Sequence, residues 1–351
     1  MTRELIIDNV VINDDSDCYV IAEVGHNHQG DLEKCKALFL SAKQCGADAV
    51  KLQKRDNKTL YTRAMYNKPY DNENSFGTTY GEHREFLEFG VDEYRALIDY
   101  CKEIGITFFS TAFDIPSADF LGELDMPAIK IASGDLKNIP LLKHAARLGK
   151  PLLISTGGGT MEDVQRAYDA VMPINPQLSI LQCTATYPSE PAEMNLRTIT
   201  TFREAFPDVV IGLSDHYNGI VMAPIAYVLG ARIVEKHFTL NHTWKGSDHA
   251  MSLEPIGMNK MIRDLRRTRL ALGNGVKETL PTETSAITKM GKTLFAARPL
   301  PAGHTLTAAD LAIKSPGGGL PPYELDNVIG RKLAQAVNED DMLTAAHLNG
   351  A

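Results

Sequence analysis

Residues 209–237 read VVIGLSDHYNGIVMAPIAYVLGARIVEKH. A β-branched apolar run at 209–212 leads into Ser214-Asp215-His216, an amphipathic stretch follows, and a second apolar run at 232–234 ends in Glu235-Lys236-His237. Apolar run, helical period and apolar run again is the pattern of two parallel strands joined by a crossover helix. The same alternation recurs upstream, with further runs at 19–22, 47–52, 106–109, 128–132, 152–154 and 179–182. Helical patterns fill the intervals, as at 31–44 and 92–103, and each of these opens on an Asp suited to capping a helix N-terminus. Eight parallel strands with intervening helices predict an α/β fold, a (β/α)8 TIM barrel, with a doubly wound open sheet as the alternative.

A barrel of this kind takes roughly 250 residues, which leaves about 100 of the 351 for something else. After a helical pattern at 258–272, residues 273–284 are rich in Gly, Pro and Thr and read as a linker. Beyond it, Arg298-Pro299, Pro301-Ala302-Gly303, Ser315-Pro316-Gly317-Gly318-Gly319 and Pro321-Pro322 punctuate short runs. The expected organisation is a barrel domain over 1–272, a linker over 273–287 and a small, turn-rich domain over 288–351. That last piece is near the lower size limit for a self-sufficient core.

Composition narrows the function. Hydrophobic residues make up 44% and charged residues 23%, the profile of a globular chain. No apolar stretch approaches the roughly 20 residues of a membrane span. The formal charge, 36 minus 44 or −8, argues against a nucleic-acid binder. The polar, acidic residues 1–17 lack an export signal pattern. Five cysteines (Cys18, Cys35, Cys45, Cys101, Cys183) form no CxxC pair, as expected of reduced thiols in a cytoplasmic protein.

The active site of a TIM barrel lies at the C-terminal ends of its strands. Here those ends are polar almost every time. The first gives Glu23 followed by Gly25-His26-Asn27-His28, the second Lys51 and Gln53, the third Ser110-Thr111, and the fourth Lys130 with Ser133-Gly134-Asp135. The others give Ser155-Thr156-Gly157-Gly158-Gly159, Cys183-Thr184 with Tyr187, Ser214-Asp215-His216, and Glu235-Lys236-His237. One polar strand end needs no special explanation, since strands leave through solvated loops. Eight together describe a site. Two lysines among hydroxyl and glycine positions suit a phosphate or carboxylate, because a lysine aimed into a barrel is costly to bury without an anion. His216 and His237 end neighbouring strands, and two imidazoles completed by oxygen ligands suit Mn2+ or Mg2+ better than a closed zinc site. Residues 244–249 (WKGSDH) have the composition of a loop over a hydrophilic substrate.

Several of these segments resemble the sialic acid synthase (N-acetylneuraminate synthase) family over nearly the whole chain. They are AEVGHNHQGDL at 22–32, VKLQK at 50–54, KIASGD at 130–135, ISTGG at 154–158, LQCTATYP at 181–188, GLSDH at 212–216, VEKHFTL at 234–240 and WKGSDHAMSLEP at 244–255. The tail resembles the antifreeze-like, β-rich SAF (β-clip) domain of these enzymes. The resemblance implies a domain-swapped homodimer and a metal-dependent condensation of phosphoenolpyruvate with N-acetylmannosamine, its 6-phosphate or a related sugar. It implies metal ligation by His216 and His237, and contacts to phosphoenolpyruvate from Lys51, Thr111, Lys130, Ser133, Ser155 and Ser214. Gln53, Asp135, Tyr187 and Asp248 would face the sugar, Glu23 would handle protons and Glu235 would stand beside the metal.

Two positions depart from bacterial members of the family: Ala185, where Asn or Ser is common, and Ser315, where an Arg precedes Pro-Gly. YGEHREFLEF at 80–89, together with WKGSDH, looks more like the animal-type branch, which uses a 6-phosphorylated sugar. Lys68, Arg84 or the rest of the 54–84 loop would then supply charge for that phosphate. Synthases of KDN 9-phosphate or legionaminic-type acids are alternatives within the family. From another class, a Schiff-base aldolase using Lys51 or Lys130 is the competing expectation.

Overall fold

A computed structural model describes residues 3–348. The chain divides into two compact units, Met1–Gly273 and Asn274–Ala351. The first opens on an antiparallel hairpin, β1 (Glu4–Ile7) and β2 (Val10–Asn13). Its two turn residues, Asp8 and Asn9, both have positive φ, 49° and 66°, the conformation that two-residue hairpins with the right twist require.

The eight apolar runs form β3 (Tyr19–Gly25), β4 (Ala49–Lys54), β5 (Thr107–Ala112), β6 (Ile129–Ile131), β7 (Leu152–Ser155), β8 (Leu178–Cys183), β9 (Val210–Asp215) and β10 (Ile233–His237). They close into one parallel barrel in which β10 pairs with both β9 and β3. The open sheet is thereby excluded.

Residues two apart on a strand share a face. One inward layer, Ile21, Ala49, Phe109, Ala128, Leu153, Leu181, Val210 and Ile233, packs with Tyr19 and with Leu5, Ile7 and Ile12 of the hairpin. The hairpin therefore belongs to the barrel's interior core. Two residues further along, the same faces carry Glu23, Lys51, Thr111, Lys130, Ser155 and Glu235, all buried. The barrel thus has an apolar floor and a polar storey above it, set by strand register. Alternate residues such as Val20, Ala22, Val50 and Leu52 face the other way and pack with helix residues such as Leu38 and Phe39.

Helix Leu32–Gln44 is capped by the Asp31 carboxylate, which accepts from the Lys34 amide at 3.0 Å. Asp92 does not cap its helix, which spans Val91–Ile104 with Gly90 as N-cap. The Glu93 carboxylate reaches back to the Gly90 amide at 2.9 Å, so the helix starts earlier and Asp92 lies in its first turn, where its charge still suits the helix dipole. The last barrel helix, Pro255–Leu272, also begins ahead of the expected 258, on a proline suited to a first turn. The 54–90 insertion contributes helices Asn57–Leu60, Arg63–Tyr66 and Tyr80–Leu87.

In the second unit, β11 (Thr293–Ala296) pairs antiparallel with β12 (Leu311–Lys314) over a small core that includes Leu294, Leu300, Leu306, Leu333 and Leu343. The stretch expected to be linker, 273–287, runs into a helix, Thr284–Met290.

Candidate active site

The C-terminal ends of the barrel strands surround a cavity of about 580 Å³. It brings together Glu23, Lys51, Gln53, Thr111, Lys130, Ser133, Ser155, Tyr187, Ser214, His216, Glu235, His237 and Asp248. Asp135, expected to face the sugar, does not line it. The 3-10 turn Ser133–Asp135 turns its carboxylate to accept from Asn138 Nδ2 at 3.0 Å.

At the centre, two lysines and two glutamates interlock. Lys51 Nζ lies 2.5 Å from Glu23 Oε2, donates to Thr111 Oγ1 at 2.7 Å and stands 3.8 Å from Glu235 Oε2. Lys130 Nζ donates to Ser155 Oγ at 2.6 Å and lies 3.7 Å from Glu235 Oε1, which accepts from Ser214 Oγ at 3.1 Å. Burial alone would push the Glu235 carboxyl up, but Lys130 and Lys51 outweigh it and hold the group down at about 2, so it is ionised. Four ionisable side chains in one buried storey are no contribution to stability worth the desolvation they cost, which makes them evidence of a task. Glu235 Oε2 is buried without a hydrogen-bond partner.

Two glycines shape the walls. Gly25, at φ 54°, leaves open a space that a side chain would fill against Gln53 Nε2 and Glu23 Oε1, each 3.3 Å from where its Cβ would stand. Gly157 lets the loop after β7 approach Ser133 and Ala185, since a Cβ there would fall 2.8 Å from Ser133 Oγ and 2.9 Å from Ala185 Cβ. Its amide donates to Ser133 Oγ at 3.0 Å.

The imidazoles of His216 and His237 converge as expected, with ring centroids 5.5 Å apart. His216 Nδ1 lies 2.8 Å from the Thr184 carbonyl oxygen and donates to it, which leaves the Nε2 lone pair free. Burial and the neighbouring His237 lower the His216 pKa to about 3, keeping the ring neutral as a ligand must be. His237 Nδ1 is buried without a hydrogen-bond partner, 3.8 Å from Asp248 Oδ2. Among the described residues no group of three or more His, Cys, Asp or Glu forms a ready-made metal cage. The donor set fits an open site in which two nitrogens hold a divalent cation and oxygens complete the shell.

Not every polar strand-end residue joins the cavity. Lys236 and Asp215 pair with each other at 2.9 Å, both fully buried. His28 stacks on Phe89 with centroids 4.1 Å apart and is absent from the cavity walls. Lys68 is exposed and also lies off the walls, whereas Arg84 lines them. Phe113, which the sequence reading missed, also lines the cavity, as does Arg55, which it covered only as part of the 54–84 loop. Arg55 directly follows β4, and its position next to Lys51 and Gln53 was the available signal.

A closed parallel barrel with two buried lysines, two buried glutamates and two converging imidazoles at its mouth is the framework of an enzyme. The chain belongs to the NeuB family, the sialic acid synthases, whose model matches residues 38–277, and a SAF domain follows at 291–349. The N-acetylneuraminate-9-phosphate synthase of Mus musculus is 42% identical over 92% of this chain and 90% of its own length. The N,N'-diacetyllegionaminic acid synthase of Legionella pneumophila is 34% identical over 94% of each chain. Among solved structures, the N-acetylneuraminic acid synthetase of Leptospira borgpetersenii in complex with citrate is 30% identical, with a TM-score of 0.71 over 82% of this chain and 96% of that one.

Proposed function

We propose that the barrel condenses phosphoenolpyruvate with an open-chain mannose-type sugar, N-acetylmannosamine or its 6-phosphate, giving a nine-carbon 3-deoxy ulosonic acid and inorganic phosphate. The observation that carries this reading is the buried storey of Lys51, Lys130, Glu23 and Glu235 facing the same cavity as two free imidazoles. Lys51 and Lys130, with Thr111, Ser133, Ser155 and Ser214, hold the phosphate and carboxylate of phosphoenolpyruvate and offset their charge where little water enters. His216 and His237 would hold the divalent cation, Mn2+ or Mg2+, whose chemistry is to polarise the sugar aldehyde as a Lewis acid. Gln53, Tyr187 and Asp248 orient the sugar. The enol carbon then forms the new C–C bond, water adds at the former enol-ether carbon, and phosphate leaves with cleavage of its C–O bond.

Glu23 would handle protons beside the metal site. Its Oε1 accepts from Gln53 Nε2 at 2.7 Å, which fixes the carboxylate toward the cavity. By the same family resemblance the protein works as a homodimer in which the SAF domain closes the partner's barrel. Five free, buried cysteines support a reducing, cytoplasmic setting. The test is phosphate release from phosphoenolpyruvate with Mn2+ and N-acetylmannosamine or its 6-phosphate. Activity is expected to vanish in EDTA and return with Mn2+. Glu23→Gln should abolish turnover while the metal still binds. Release from none of the sugars, or a borohydride-trapped adduct on Lys51 or Lys130, would overturn the reading.

A further inference from the structure

Lys236 and Asp215 stand at the strand ends yet take no part in the cavity wall. Alternate residues on a strand share a face, so Ser214 with His216, and Glu235 with His237, point inward while Asp215 and Lys236 point the other way. Both side chains are wholly buried, and Lys236 Nζ donates to Asp215 Oδ2 at 2.9 Å. A buried ion pair is weak evidence for stability, since apolar residues of similar volume often serve as well or better. The best-attested use of such a pair is to fix register.

Register is what the two histidines require. The ladder between β9 and β10 runs from Gly212 and Ile233 to Asp215 and Lys236, and ends there. His216 and His237 are the next residues, one step past the last rung. His237 is still registered against Glu23 of β3, but its spacing from His216 is left to side chains. The Lys236 ammonium spans that gap. Besides Asp215, it donates to the Tyr217 carbonyl oxygen, one residue beyond His216. The other Asp215 oxygen, Oδ1, accepts from the Tyr217 amide at 2.9 Å. His216 is thus bracketed by the two residues that Lys236 grips, and Lys236 itself directly precedes His237 on its own strand.

We propose that Lys236 and Asp215 are positioning residues that set the spacing of the two imidazoles, and with it the hold on the divalent cation, while touching neither cation nor substrate. This rests on the cation site proposed above at His216 and His237. An apolar pair of similar bulk would then preserve the fold and lose the metal affinity.

Mn2+ binding to the full-length protein is measured by electron paramagnetic resonance of the free ion, with no substrate present. Urea unfolding, and calorimetric binding of phosphoenolpyruvate to the metal-free protein, are followed beside it. Removing both charges, as Lys236→Met with Asp215→Leu, is expected to leave the unfolding midpoint near that of the wild type. The Kd for Mn2+ should rise roughly 10- to 100-fold, the usual consequence of losing a partner behind the ligands. Phosphoenolpyruvate, held by Lys51 and Lys130, should bind as before. Asp215→Asn keeps an acceptor for Lys236 or for the Tyr217 amide and should raise the Kd for Mn2+ about threefold or more, so it reads the same effect if the double variant does not fold. Unchanged Mn2+ affinity in the double variant, or in Asp215→Asn where the double variant does not fold, would overturn the positioning role. Equal losses of Mn2+ and phosphoenolpyruvate binding would overturn it too, by showing a general disturbance of the mouth. His216→Ala keeps this apart from the cation reading: no Mn2+ binding by the wild type, or binding that survives His216→Ala, rejects the cation site itself and the positioning role with it.

Discussion

Asp310 in the C-terminal unit and Glu235 at the barrel mouth are both buried carboxylates, and they are partnered in opposite ways. Asp310 Oδ1 accepts from Arg298 Nε and Nη2 at 2.9 and 2.7 Å. Its Oδ2 accepts from the Thr307 amide and hydroxyl at 2.9 and 2.7 Å and lies 2.9 Å from His304 Nε2. Glu235 has one hydroxyl donor, two lysines at 3.7 and 3.8 Å, and an oxygen with no hydrogen bond. Burying a charge is costly in either place. Where the chain itself fills every lone pair, the charge holds a turn together. Where it leaves capacity unused, a ligand is the missing partner.

The largest effect should come from breaking the mouth. Lys130→Met is expected to reduce turnover about 1,000-fold or more, because an anion-holding charge is lost from a site with little water. It should also cost roughly 3–5 kcal/mol of stability by stranding Glu235. Adding Glu235→Gln should recover most of that stability and none of the turnover. Urea unfolding beside a phosphate-release assay separates the two, and a double variant no more stable than the single would refute the coupling.

The counterpart at Asp310 should touch stability alone. Asp310→Ala is expected to cost about 2–4 kcal/mol, since several charge-assisted bonds go at once, and amide exchange at Thr307 should report it first. Bonds from His304, Thr307 and Arg298 hold the Asp310 carboxyl well below the usual carboxylate range. A depressed carboxyl contributes fully above its unfolded pKa, near 4, and that contribution is lost as pH falls further. Wild type should therefore weaken below about pH 4 more steeply than Asp310→Asn. Parallel acid-unfolding curves for the two would contradict the assignment.

The difference between floor and mouth also explains what the sequence makes legible. A strand's period of two fixes both Phe109 in the floor and Thr111 above it, so eight strands and most of the cavity wall can be read from alternation. The period ends where the strands end. Asp135 follows Lys130 and Ser133 closely in sequence, yet a 3-10 turn carries it away to Asn138. Arg55 has no period to place it, and only the fold shows it beside His26. The hairpin is hidden differently. Its surroundings are acidic, and Leu5, Ile7 and Ile12 reveal their apolar face only once the barrel floor is there to receive them.

The smallest effect tests how complete the mouth is. Ala185 lines the cavity and packs against Gly157. Ala185→Ser adds one hydroxyl to a wall already supplied by Ser133 and Ser155, and a single neutral hydrogen bond is worth about 1 kcal/mol. The KM for phosphoenolpyruvate is expected to fall by a factor of about 3–5, with kcat nearly constant, because ground state and transition state would gain the bond alike. A rise in KM would instead mean that the close approach of Gly157 leaves no room for the added oxygen. The polar storey would then already be filled to the limit of its packing, and the alanine would be required by that backbone contact.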